Sequence, residues 1–170
     1  EKDSNNNNLP IAPSWVNKND EKKFEKFHNY FVHNINLINF FFETDYKVSS
    51  KISNKSGGSI FFDHGNFFGQ FDYAYLESDL WEEGIDFHFT HGSIKVTLPP
   101  AFFKNQAAKV IIYNGKKNKY IQPYLDWTWS FKNQSINFIN SIIENKTNIC
   151  DARISIKDLE IIENIWKLSS

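Results

Sequence analysis

The residues best suited to chemistry in this sequence are one histidine and two asparagines at helical spacing. His33 lies four residues after Asn29 and three residues before Asn36, so on an α-helix the three side chains share one face. Histidine can donate or accept a proton near neutral pH, and an amide beside it can hold the imidazole ring through a hydrogen bond. We therefore predict that His33 is an acid–base group oriented by Asn29 or Asn36. The alternative is a half-exposed helix face in a protein rich in asparagine.

The other polar groups favour structural or solvated roles. Asp79, Glu82 and Glu83 surround Trp81, and we favour a solvated loop there over a sugar-binding site, because nothing fixes the carboxyl pair that a glycosidase needs. His64 precedes a glycine, which predicts a surface or turn-capping position. Cys150 lies among small and apolar residues, which favours a buried structural thiol over a nucleophile.

The composition narrows the class of protein. Lys and Arg total 19 against 20 Asp and Glu in 170 residues, so the net charge of −1 provides no basic surface for nucleic acid or an anionic membrane. A single cysteine excludes an intrachain disulfide and a cysteine cage for a metal ion. We expect a soluble, cytoplasmic protein that binds neither nucleic acid nor a membrane and holds no metal. Methionine is absent even at position 1, so we expect this chain to be part of a longer protein.

An arm and a helix are predicted at the start of the chain. Residues 1–19 contain a run of four asparagines and two prolines, which predicts a linker or extended arm whose Trp15 docks on another surface. Asp20 is a suitable N-cap for a helix that ends near Phe42. Apolar residues recur in that helix at every third or fourth position and form one stripe: Phe24, Phe27, Phe31, Ile35, Ile38 and Phe42.

Short runs rich in β-branched and aromatic residues predict strands in the middle of the chain. The candidates are Tyr46–Ser53, Ser59–His64, Phe67–Leu76, Gly84–Thr90, Ser93–Leu98 and Lys109–Tyr113. The dipeptide His91-Gly92 is a turn that predicts a hairpin between two of them. Helices are predicted over residues 131–144 and over residues 156–168, the latter capped by Ser155 with Asp158 at its third position as a capping-box variant. This order predicts an α+β fold with an open, mainly antiparallel (mixed) β-sheet of about six strands and helices packed on one face.

Four segments resemble the C-terminal domain of the Gfo/Idh/MocA oxidoreductases, the group of glucose–fructose oxidoreductase and inositol dehydrogenase. The stretch Phe31–Phe40 is similar to their catalytic helix motif, in which an acid or amide precedes a histidine by four residues and an Asp or Asn follows it by three. Residues 81–100 resemble their central hairpin, and residues 138–145 and 158–166 resemble their two closing helices. The resemblance extends from about Trp15 to Leu168.

The resemblance implies an NAD(P)-dependent oxidoreductase that acts on a hydroxyl or carbonyl of a sugar, nucleotide-sugar or cyclitol. His33 would be its acid–base residue with Asn29 as the second catalytic residue, and Asn36 and Trp15 would contact the substrate. Both asparagines fall where relatives commonly carry Asp, and an amide can orient a partner but cannot take up a proton as a carboxylate does. NAD or NADP would be bound mainly by an N-terminal Rossmann domain that is not in this chain.

The same resemblance implies a domain organisation. Residues 1–19 would be the arm from the missing Rossmann domain, and residues 20–170 would be a substrate-binding domain that forms a homo-oligomer through its sheet face. Alone, these residues would have no redox activity, because they contain no dinucleotide-binding pattern. The alternative is a freestanding carbohydrate- or small-molecule-binding α+β module without catalytic activity.

Overall fold

The computed structural model of the chain describes residues 12–42, 46–149 and 151–168. Residues 1–11 of the predicted arm, and the predicted structural thiol of Cys150, lie outside the described residues. The described helices and strands follow one another in this order: α1 (Glu21–Phe41), β1 (Lys47–Ser53), β2 (Gly57–Asp63), β3 (Phe68–Ala74), β4 (Glu83–Phe89), β5 (Gly92–Leu98), β6 (Lys109–Asn114), β7 (Lys119–Ile121), α2 (Ser130–Ile143) and α3 (Ala152–Lys167).

The α+β fold predicted from the sequence is confirmed. The described strands form two antiparallel sheets, one with three strands in the order β1-β2-β3 and one with four strands in the order β4-β5-β6-β7. The sequence predicted about six strands and a single sheet. The additional strand, β7, has only three residues, and all of them are exposed. A segment this short is too brief to show the apolar–polar alternation that predicts a strand from sequence.

The chain divides into two compact units. The first contains the described residues of 1–75 and 150–170, with α1, the three-stranded sheet and α3. The second contains residues 76–149, with the four-stranded sheet and α2.

The core of the first unit is built by α1, α3 and the three-stranded sheet. Ile60 of β2 pairs with Phe71 of β3, and both side chains pack in this core. Phe27 of α1 meets Tyr73 of β3 edge to face, with ring centroids 5.2 Å apart. Ile165 of α3 is completely buried, as is Phe27. Helix α1 therefore packs on the three-stranded sheet through its apolar side.

Helix α1 begins where the sequence predicts. Phe24, Phe27 and Ile35 are buried, which confirms the apolar stripe. Asp20 occupies the N-cap position, but its side chain caps no backbone N–H group and instead accepts a hydrogen bond from Lys23 Nζ at 2.6 Å.

The predicted start of the last helix is wrong. Helix α3 begins at Ala152, because the Asp151 side chain accepts hydrogen bonds from the backbone N–H groups of Arg153 and Ile154. Ser155, the predicted cap, lies inside the helix. The earlier start places Asp158 in the second turn of α3 instead of its first.

The second unit contains the hairpin that the sequence predicts, formed by β4 and β5. Ile85 pairs with Val96, which in turn pairs with Val110, so one face of the four-stranded sheet is apolar. Asp86 and Lys95 form an ion pair of 3.3 Å across the polar face. Helix α2 has no buried residue. No described helix has the length and apolar character that crossing a membrane requires.

Candidate functional site

The predicted acid–base residue lies on the exposed side of α1. His33 and Asn29 are exposed, whereas Phe24 and Ile35 of the same helix are buried. Nine residues separate Phe24 from His33, which on a helix of 3.6 residues per turn puts them on opposite sides. The helix thus uses one side for the core and presents His33 on the other.

Exposed aromatic side chains accompany His33 along α1. Tyr30 lies three residues before it and is 64% exposed, and Phe40 lies seven residues after it and is 56% exposed. These rings offer apolar contact area beside the polar side chains of Asn29 and His33. We call the surface formed by Lys26, Asn29, Tyr30, His33 and Phe40 the His33 ridge.

The structure does not bring either asparagine into a hydrogen bond with His33. Asn29 Oδ1 lies 3.4 Å from Nδ1 of the neighbouring His28. The amide nitrogen of Asn36 donates to Asp158 Oδ2 at 2.7 Å. No described residue forms a hydrogen bond with the His33 ring.

The partner of Asn36 belongs to a buried polar network that the sequence analysis missed. Asp158 of α3 is 3% exposed and also accepts a hydrogen bond from the Asn39 amide at 2.6 Å. The Tyr46 hydroxyl donates to Asn39 Oδ1 at 2.7 Å. The helical spacing of Asn36 and Asn39 is visible in the sequence, but the local pattern around Asp158 predicts only a helix-capping role, and Asp158 lies 122 residues after Asn36.

Burial keeps the tyrosine of this network protonated. Burial of the phenol raises the pKa of Tyr46 far above its ordinary value, and the charge of Asp158 raises it further. Tyr46 therefore stays a hydrogen-bond donor at neutral pH. Each Asp158 oxygen accepts an amide proton, which compensates for the loss of water around a buried carboxylate.

Trp15, the other predicted substrate contact, is not brought to His33. Its ring packs edge-on against Phe24 at a centroid distance of 5.6 Å, and Lys167 Nζ lies 5.9 Å from the ring centroid. Because Phe24 and His33 are on opposite sides of α1, Trp15 lies on the core side of the helix. The expectation that it docks on another surface agrees with this contact, and its role in substrate binding stays a prediction.

The His33 ridge also contains a lysine that the sequence analysis did not single out. Lys26 Nζ lies 4.2 Å from the ring centroid of Tyr75 and 5.9 Å from that of Tyr30, a cation–π arrangement. Burial, with Tyr73 and Tyr30 nearby, raises the pKa of Tyr75 to about 12, so its ring stays neutral beneath the ammonium group. The spacing of Lys26 and Tyr30, four residues apart on one helix, was the available signal.

The prediction of a surface or turn-capping role is wrong for His64. Both ring nitrogens are buried and have no hydrogen-bond partner among the described residues. The ring stacks on Phe67 with centroids 4.2 Å apart and lies 4.6 Å from the Tyr46 ring and 5.0 Å from the Phe42 ring. His64 is therefore part of an aromatic cluster.

The acidic segment around Trp81 has the solvated character that the sequence favours. Asp79, Trp81 and Glu82 are exposed in the loop before β4, whereas Glu83 is half-buried and begins β4. Within residues 12–42, 46–149 and 151–168, no group of three or more His, Cys, Asp or Glu side chains could hold a metal ion.

Comparison with known proteins gives matches of fold but none of sequence. No protein-family model and no curated protein sequence matches this chain. KijD10, a 3-ketoreductase from Actinomadura kijaniata solved with TDP-benzene and NADP in an open conformation, is 14% identical, with a TM-score of 0.61 over 82% of this chain and 46% of that chain. An oxidoreductase from Bacillus cereus is 11% identical, with a TM-score of 0.58 over 84% of this chain and 49% of that chain. This chain has the fold of part of these oxidoreductases. It spans just under half of their length.

Proposed function

We propose that this chain is the substrate-binding C-terminal domain of a cytoplasmic, NAD(P)-dependent oxidoreductase of the Gfo/Idh/MocA type. Its substrate is a sugar, nucleotide-sugar or cyclitol with a hydroxyl or carbonyl that the enzyme interconverts. The observation that carries the proposal is the shared fold with part of oxidoreductases such as KijD10, which was solved with a TDP compound and NADP. Coverage of just under half of the matched chains fits one domain of a two-domain enzyme.

The described residues do not fit the dinucleotide itself. All described strand pairs are antiparallel, whereas a dinucleotide-binding fold is built on parallel strands joined through helices. We therefore assign NAD or NADP to an N-terminal Rossmann domain, with residues 1–19 as the connecting arm and residues 20–170 as the substrate-binding domain.

His33 has the proton-transfer role in this proposal. Its imidazole is exposed on α1 and forms no hydrogen bond with a described residue, so its ring nitrogens can reach a substrate hydroxyl or carbonyl oxygen. Asn29, one turn earlier and also exposed, can bind a neighbouring hydroxyl through its amide. Asn36 is engaged with Asp158, so we assign substrate contact first to His33 and Asn29.

The proposal includes self-association through the four-stranded sheet. Phe89 and Ile121 belong to the apolar face of that sheet and are 60% and 42% exposed. Removing such a surface from water favours association with a second copy.

Activity of the complete protein tests the catalytic role. We expect His33→Ala to lower kcat by about 100-fold or more with the unfolding temperature unchanged, because the proton transfer loses its acid–base group while no core contact is lost. The matched control is His88→Ala, which removes an exposed histidine of β4. Turnover with sugars or cyclitols that is equal in wild type and His33→Ala would contradict the proposal.

The coding sequence upstream of Glu1 tests the domain organisation. We expect an in-frame extension that encodes a strand, a GxGxxG turn and a helix. A start codon or signal sequence directly before Glu1 would instead favour a freestanding carbohydrate- or small-molecule-binding module, and ligand binding by the protein alone would then be measured.

A further inference from the structure

A buried carboxylate joins α3 to the helix that carries His33. The two oxygens of Asp158 each accept one amide proton of α1, from Asn36 at 2.7 Å and from Asn39 at 2.6 Å. Asn39 is 7% exposed and Asp158 is 3% exposed, so water does not compete strongly for the bond between them, while the bond from Asn36 is partly buried. The contact therefore connects α1 and α3 through directional bonds, in addition to the apolar core to which Ile35 of α1 and Ile162 of α3 both belong.

The spacing of the two amides makes the contact sensitive to rotation of α1. Three residues correspond to about 300° around a helix, so Asn36 and Asn39 project about 60° apart on adjacent turns. One carboxylate can accept both amide protons over a narrow range of helix rotation only. His33 is three residues before Asn36 and projects a further 60° or so around the helix, toward solvent.

We propose that Asp158 is the positioning residue of the candidate site. It holds α1 at one rotation through Asn36 and Asn39, and thereby aims His33 and the His33 ridge at the substrate. The aiming of His33 rests on the proposed function, whereas the bonds between α1 and α3 do not. In this proposal, Asn36 donates its hydrogen bond to Asp158 and is not primarily a substrate contact.

The chemistry of the contact requires a carboxylate on one side and an amide on the other. Asn36→Asp would bring a second carboxylate against Asp158, and two such charges in a buried site repel until one takes up a proton. Asp158→Asn would direct an NH₂ group at the NH₂ group of one α1 amide, which could accept only by turning its carbonyl oxygen toward α3. Exchanging the two residues restores one carboxylate and one amide, and the new amide oxygen can still accept from Asn39.

A double-mutant cycle on the complete protein tests the contact itself. We expect Asp158→Asn and Asn36→Asp each to lower the unfolding temperature by about 5 °C or more, and the exchanged double variant to recover at least half of the summed loss. The matched control is Asp151→Ala, which weakens the N-terminus of α3 without touching α1, and its loss should add to that of Asn36→Asp. Simple additivity in the Asp158 and Asn36 pair would overturn the proposal.

Steady-state kinetics of the complete protein test whether Asp158 positions His33. At a temperature well below every unfolding transition, we expect Asp158→Asn to lower kcat by about 10-fold at unchanged KM for the dinucleotide, and the exchange to restore it. Asp151→Ala should leave kcat unchanged. Equal losses in both variants would overturn the positioning role.

If the complete protein turns over no substrate, the proposed function fails while the contact remains testable. Amide hydrogen exchange of α1 should then be faster in Asp158→Asn than in Asp151→Ala. Equal exchange rates would overturn the proposal independently of activity.

Discussion

At the scale of the residue, His64 shows how burial shifts the pKa of a side chain. Its ring lies among Phe67, Tyr46 and Phe42, and both nitrogens lack a hydrogen-bond partner among the described residues. Burial lowers the pKa of His64, and the charge of Asp63 opposes the shift only in part. The folded protein therefore favours the neutral imidazole.

We expect this histidine to make the protein less stable in acid. Below about pH 6.5, the ordinary pKa of histidine, the unfolded chain binds a proton that the folded protein binds less tightly. The stability contribution is therefore complete above that pH and is lost as the pH falls toward the lowered pKa. Unfolding temperatures from pH 7.5 to 5 should decrease less steeply in His64→Phe than in wild type or in His91→Phe, which replaces an exposed turn histidine. Parallel curves for His64→Phe and wild type would refute this explanation.

At the scale of the element, the sequence predicts what local periodicity encodes. The apolar stripe of α1 and the hairpin of β4 and β5 are present because a helix repeat and a tight turn act within a few residues. The turn residues are Thr90 and His91, one residue earlier than the predicted dipeptide, since Gly92 already pairs with Phe89. The start of α3 was wrong because Asp151 and Ser155 are both good caps, and sequence alone does not choose between them. The bond between Asn36 and Asp158 likewise cannot be predicted from local sequence, because Asp158 lies in the last helix.

The choice of cap predicts a difference between two variants of α3. Asp151→Ala should lower the unfolding temperature at pH 7 by a few degrees, whereas Ser155→Ala should have little effect, because only Asp151 accepts the first N–H groups of the helix. The hydrogen bond from the Ile154 backbone, followed by those from Arg153, lowers the pKa of Asp151. The contribution of the Asp151 cap to the stability of the protein is therefore present above the ordinary carboxyl pKa near 4, and it is lost as the pH falls through the lowered pKa.

Thermal unfolding at pH 7 and at about pH 2.5 measures both parts of this prediction. The difference in unfolding temperature between wild type and Asp151→Ala should be smaller at about pH 2.5 than at pH 7. A larger loss from Ser155→Ala than from Asp151→Ala at pH 7 would mean that the helix begins where the sequence first indicated.

At the scale of the whole molecule, the two units differ in how much apolar surface they bury. All eleven buried apolar side chains of the described residues belong to the first unit, and none lies in residues 76–149. The second unit nevertheless has a sheet face of paired aliphatic residues, including Ile112 and Ile121. We expect an apolar surface of this kind to be buried in an interface of the complete protein, and the proposed partner is the same face of a second copy.

Variants at two adjacent residues of β7 distinguish dimerisation through this face from non-specific association of exposed apolar side chains. Ile121 pairs with Ile112 on the apolar face, and Tyr120 pairs with Tyr113 on the opposite face, because successive strand residues point to opposite sides. We expect Ile121→Asp to weaken the dimer about 100-fold or more, since it places an unpaired charge in a desolvated interface, and Tyr120→Asp to leave association unchanged. Sedimentation equilibrium of the complete protein measures both. A monomeric wild type, or equal weakening by the two variants, would exclude association through this face.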